Sequence, residues 1–126
     1  MADVKEIQRL EDLAYDVRRK LLHLCNTYEG AVHIGGDLSS TDMMVALWHH
    51  GMKNNPENIK DPERDRFFLS AGHKAVLMYT VMAQRGFWDY EEMVKTYGKV
   101  NSAYGMHPCR VQLPALECSS GSLGQG

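Results

Sequence analysis

One short pattern occurs twice in this chain: an apolar run, a glycine turn, then the start of a helix. It stands at Leu69-Ser70-Ala71-Gly72-His73. It returns, unfinished, at Cys118-Ser119-Ser120-Gly121-Ser122-Leu123-Gly124-Gln125-Gly126. Glycine lets a backbone approach another group closely. Strand, glycine turn and helix start in this order belong to α/β folds that hold phosphates at helix N-termini. The second copy predicts a site that continues into a helix after Gly126 or is completed by another polypeptide. Taken alone, G-S-L-G-Q-G is also compatible with a plain tight corner.

The bulk numbers narrow the setting. At 126 residues the chain has room for one domain or less, with a modest core. A net charge of −2 gives no electrostatic footprint for nucleic acid or an anionic membrane. No apolar run reaches membrane-spanning length, and Met1-Ala2-Asp3-Val4-Lys5-Glu6 is too polar for a signal peptide, so a cytoplasmic location is expected. Cys25, Cys109 and Cys118 are an odd set without a C-x-x-C pair. That argues against a disulfide framework or zinc knuckle and for reduced, partly buried thiols.

Ile7, Leu10, Ala14, Val17, Leu21 and Leu24 recur at three- and four-residue steps. They predict one amphipathic helix over residues 3–27, packing on its own domain or on a partner. A loop is expected over 30–38, then a helix from about Thr41 to His50, with Ser39 and Asp42 in capping-box spacing and Gly51 behind. Residues 54–58 read as a solvated loop. Phe67-Phe68-Leu69 reads as a short buried strand. A helix follows from His73 to about Gln84, and a further one, capped by Asp89 with Glu92, ends near Gly98. Pro108 and Pro114 exclude regular helix from there to Leu116. A brief strand is expected at 116–118. Met43, Met44, Met78 and Met82 read as core filler.

Histidines fall into two sets. His23, His49 and His50 lie within predicted helices. His33, His73 and His107 sit beside glycine or proline, in loops or at a helix start. Loops on a rigid scaffold are where catalytic groups concentrate, and imidazole donates, accepts or changes charge near neutral pH. His73 stands where a helix N-terminus presents free N–H groups and positive dipole. A neutral imidazole there is placed to donate to an anion that the backbone also holds, or simply to cap and pack. The spacings of 40 and 34 residues match no local metal motif, and no metal ligand is assigned.

In order, V-H-I-G-G-D-L-S-S-T-D, D-R-F-F-L-S-A-G-H-K-A, G-M-H-P and S-S-G-S-L-G-Q-G resemble the N-terminal region of transketolases. The likeness is to the divided kind, whose N- and C-terminal halves are separate chains, and it covers about residues 10–126. Val32 stands where the family commonly has Gly, and Ile34 where many members have Pro; the Ile form suits the divided subfamily.

The resemblance implies an α/β fold: the N-terminal, mostly helical part of a thiamine-diphosphate-binding domain, incomplete over residues 1–126. It implies thiamine diphosphate and Mg²⁺ as cofactors. The implied reaction transfers a two-carbon ketol unit from a ketose phosphate to an aldose phosphate. His33 would face substrate at the reacting carbon, and His107 would bond the donor hydroxyl near the breaking bond. His73 would touch the cofactor diphosphate, with Gly121, Ser122 and Leu123 against the cofactor's central region. The family's G-D-G metal motif is absent, as is the second domain, so this polypeptide is not expected to catalyse the reaction alone. The implied partners are sugar phosphates and a C-terminal subunit or domain, within a homodimer or heterotetramer. Two alternatives remain: another thiamine-diphosphate enzyme, such as a deoxyxylulose phosphate synthase-like protein, and a non-catalytic module that binds a partner through the first helix.

Overall fold

The computed structural model describes residues 3–125. Four helices carry the core: α1 over Val4–Thr27, α2 over Ile34–Ala46, α3 over Ala75–Gln84 and α4 over Tyr90–Thr96. Helix α1 matches its periodicity. Asp3 caps it by accepting from the Lys5 N–H, and Ala14, Val17, Leu21 and Leu24 are buried. The helix therefore packs on its own domain, although Val4, Ile7, Tyr15 and Leu22 stay exposed.

Helix α3 is the hub. Every residue from Ala75 to Met82 is buried, as expected of a helix that is apolar all round. Helices α1 and α2 pack against it and against each other. Gln84 closes the α1–α3 seam, donating to the Leu13 carbonyl at 3.2 Å and to Asp16 Oδ2 at 2.8 Å. From Tyr79 of α3 outward, Tyr104, Trp88, Phe87, Trp48 and Phe67 continue a chain of edge-to-face and tilted aromatic contacts with ring separations of 5.6–6.2 Å. Such pairs add specific geometry to simple burial. Helix α4 starts as expected, with Asp89 accepting from Glu92 N–H at 2.8 Å.

Four expectations need correction. Helix α2 begins at Ile34, not Thr41, and Ser39 makes no capping box; its hydroxyl donates back to the Gly36 carbonyl. The two glycines that read as loop lie in its first turn. The helical run then ends in a π turn over Leu47–Gly51, which buries Trp48. Among the described residues there is no strand, at 67–69 or at 116–118. A strand exists only through backbone hydrogen bonds to a neighbour, and among the described residues neither segment makes such bonds to another. Phe67 instead packs on Trp48, Phe68 is exposed and Leu69 is buried. The 54–58 segment is not simply solvated. Asn54 is buried, its amide donating to the Asp65 carbonyl while its own carbonyl accepts from Arg85. Met43 is exposed, unlike the buried Met44, Met78 and Met82.

From Tyr97 to Ser122 the chain is irregular, as Pro108 and Pro114 require. A buried ion pair ties it down: Arg64 meets Glu117, and the Arg64 Nε–H also donates to the Ile59 carbonyl at 2.8 Å.

Candidate functional site

Three sequence-distant segments meet at one open groove of about 490 Å³, lined by His33, His73, Met106, His107, Gly121 and Leu123. His33 occupies the N-cap position of α2 and makes no side-chain cap bond. His73 lies in a 3₁₀ turn over Gly72–Lys74 that runs straight into α3. The two rings stand 5.3 Å apart at 60°. His107 arrives on the irregular segment. Its backbone is pinned from the core, because the Tyr79 hydroxyl donates to the His107 carbonyl at 3.2 Å. Burial pushes the Tyr79 phenol far up, so it remains a donor.

Glycine makes this convergence possible at two positions. A Cβ on Gly72 would lie 2.8 Å from Ser120 Oγ and 2.9 Å from Gly121 N, closer than packed atoms tolerate. The two glycine turns of the sequence therefore pack directly on each other. A Cβ on Gly121 would lie 3.3 Å from the His107 ring. Close approach of the last segment to both earlier ones thus depends on small residues on either side. The chain goes on into a 3₁₀ turn over Leu123–Gln125.

Five of the six residues singled out from sequence line this groove. Ser122 does not. It lines a neighbouring depression with Phe68, Ser70, Ala71 and Ser119, and Leu123 borders both. Among the described residues, no imidazole of the three is hydrogen-bonded to another side chain, and their ring nitrogens are open to a ligand. Donors at a helix start, a glycine backbone and two apolar side chains, Met106 and Leu123, suit an anionic group attached to a flat ring. A metal is a different matter. Among the described residues no three His, Cys, Asp or Glu side chains cluster so as to hold one.

Sequence reasoning missed three residues beside the groove. Tyr79 has been described. Lys74 reaches back from the α3 start to donate to Ser40 Oγ at 2.6 Å. Asp37, fully buried in the first turn of α2, accepts at Oδ1 from the Leu77 N–H at 3.3 Å, while its Oδ2 has no partner. Burial raises its pKa to about 6, against the pull of the Leu77 amide, His33 and Lys74. An aspartate inside G-G-D-L-S-S carries no apolar periodicity. Its one sequence signal is a carboxylate where the other first-turn residues are small or apolar.

Comparison with known proteins finds relatives along nearly the whole chain. The family described as "Transketolase, thiamine diphosphate binding domain" matches residues 13–126. One subunit of the apulose-4-phosphate transketolase of Actinobacillus succinogenes is 32% identical over 117 residues, which are 93% of this chain and 42% of that protein. The transketolase of Homo sapiens is 32% identical over 124 residues, 98% of this chain and 19% of that one. The transketolase structure from Leishmania mexicana superposes with a TM-score of 0.80 at 27% identity, covering all of this chain and 18% of that one. The chain thus spans less than half the length of these relatives. Among the described residues, no helix is long and apolar enough to cross a membrane.

Proposed function

The chain belongs to the transketolase family, within its thiamine diphosphate binding domain, and from that membership we propose that residues 1–126 form the N-terminal part of a ketol-transferring enzyme. In this reading the enzyme moves a two-carbon unit from a ketose phosphate to an aldose phosphate in the cytoplasm. A C-terminal subunit or domain completes it, as a homodimer or as a heterotetramer of divided subunits. The Actinobacillus relative, a transketolase made of more than one chain by its name, supports the divided form. The observation that carries the proposal is the meeting of His33, His73 and His107 at one groove floored by Gly121.

Bound thiamine diphosphate supplies the carbanion chemistry of such a reaction. This chain's residues supply position and protons. His73 stands at the start of α3, where unpaired N–H groups and the positive end of the helix favour an anion. Its imidazole donates to the diphosphate. Gly121, Ser122 and Leu123 give backbone groups and an apolar side chain to the cofactor's rings, with Ser122 contributing through its backbone. His33 and His107 face the substrate, and His107 moves a proton at the donor hydroxyl near the bond that breaks. Mg²⁺ would take its ligands from the completing part of the enzyme, since among the described residues no three His, Cys, Asp or Glu side chains cluster so as to hold it.

The test is to assemble the protein with its C-terminal part and offer ketose phosphates and pyruvate as donors, while thiamine diphosphate binding is followed by calorimetry. Turnover of ketose phosphates supports the reading. Preference for pyruvate moves the protein to a deoxyxylulose phosphate synthase-like activity. Failure to bind the cofactor in the assembled protein leaves only a partner-binding module.

A further inference from the structure

The start of α3 lacks a cap of its own. Lys74 occupies the N-cap position, and a lysine side chain has no oxygen with which to accept from the first-turn amides. An acceptor is supplied from elsewhere: Asp37 of α2, whose Oδ1 receives the N–H of Leu77, the third residue of α3. A carboxylate serves helix N-termini well, both by accepting from the backbone and by meeting the positive dipole. Here that cap crosses between helices.

We propose that Asp37 is a positioning residue for the site: a cap provided in trans that fixes the His73 turn against the His33 end of α2. Two further contacts run in parallel. Lys74 Nζ donates to Ser40 Oγ, three residues along α2 from Asp37, and the His33 and His73 rings are in edge contact. Asp37 is fully buried, so its ionised form is uncomfortable there, and Oδ2 finds no partner. The groups that face it come from every packed element. They are His33 at the end of its own helix, Lys74 before α3, Cys25 of α1 and Tyr97 after α4. The thiol and the phenol are both pushed up, burial being the larger cause and the Asp37 charge a lesser one. Ionised Asp37 adds negative charge beside the helix start that the proposed diphosphate uses. Cofactor affinity is therefore expected to fall as pH rises through about 6. That consequence rests on the functional reading above; the cap itself does not.

Two variants of the full-length protein separate these layers. Asp37→Asn keeps an accepting oxygen and removes the charge; Asp37→Ala removes both. Three readouts are taken at several pH values: amide exchange at Leu77, the NMR ring signals of His33 and His73, and the dissociation constant for thiamine diphosphate. The Ala variant should exchange Leu77 about tenfold faster, move both ring signals and weaken cofactor binding about fivefold to tenfold, the scale of a lost cap. The Asn variant should keep Leu77 protected as in the parent, and its cofactor affinity should fall less steeply than the parent's between pH 5 and pH 7. Unchanged Leu77 exchange and ring signals in the Ala variant overturn the proposal, and so does an Asn variant that behaves like the Ala one. If the Ala variant does not fold, the Asn variant decides alone through Leu77 protection and the flattened pH profile. A parent protein that binds no thiamine diphosphate would sink the functional reading, while the exchange and ring signals would still decide the cap.

Discussion

Along α3, eight consecutive residues from Ala75 to Met82 are buried, whereas around the groove His33 and His107 are exposed and His73 is half-buried. The core is made of side chains that fill space and want no partner. The groove is made of side chains left without one, held in place through their backbones. Tyr79 grips the His107 carbonyl, Gly72 lets the last turn approach, and Asp37 caps the helix that follows His73. Stability and site chemistry are thus carried by different atoms of neighbouring residues, and substitutions should separate the two.

The widest separation is expected at His107. In the completed enzyme His107→Ala should lower kcat about 10²–10⁴-fold, the usual worth of a positioned acid–base group. Its melting temperature should stay near the parent's, because the anchoring bond uses the carbonyl that alanine keeps. His73→Ala should instead weaken thiamine diphosphate binding more than it lowers kcat at saturation. Equal cofactor affinity in the His73 variant would remove its assigned role. A large drop in the melting temperature of the His107 variant would break the comparison itself.

The reverse case is Leu21, fully buried on α1. Leu21→Ala should cost about 2–5 kcal/mol of stability through lost burial and the cavity left behind. Once folded, it should bind cofactor as the parent does. Chemical denaturation and calorimetry on the same sample check both halves of that statement.

A pH titration probes a buried residue that links the two regions. Asp37 titrates near 6 in the folded protein, above its ordinary 3.8, because burial disfavours its charge. Between about pH 4 and 6 the folded state therefore binds more protons than the unfolded one. This contribution to stability is full below that window, declines as pH rises through it and is flat above. The loss is at most about 3 kcal/mol, since each tenfold change in proton affinity is worth about 1.4 kcal/mol. Glu6, held down to about 2 by Arg9 and His50, works in the opposite sense, but at lower pH. Subtracting the unfolding curves of Asp37→Asn from those of the parent isolates the window. A flat difference between pH 4 and 6 would show that the carboxyl does not feel its burial.

The same division explains what was legible in the residues. The core elements announce themselves: α1 through its three- and four-residue steps, α4 through Asp89 and Glu92, the end of α3 through Gly86, whose φ is +86°. The three histidines of the groove stood out for the opposite reason, since His33, His73 and His107 interrupt those patterns beside glycine or proline. What stayed hidden has no local signature. Two adjacent glycines usually read as loop, yet here they lie in the first turn of α2. Three apolar residues at 67–69 read as strand, yet a strand is a property of a pair. Asp37 acts on α3 across 40 positions of sequence, so no window around it contains its partner.

The smallest expected effect is the sharpest control on that last point. Asp89 caps its own helix, accepting from Glu92 three residues on. Asp37 caps a neighbour's helix beside the groove. Asp89→Ala should cost about 1 kcal/mol, the usual worth of an N-cap. It should lower the melting temperature by a few degrees and leave thiamine diphosphate affinity unchanged, because α4 contributes no residue to the groove. If the Asp89 variant weakens cofactor binding as much as Asp37→Ala does, both act by loosening the whole domain, and the special claim on Asp37 falls. If only the Asp37 variant does, two caps of similar chemistry will have been separated by where the helix they cap points its first turn.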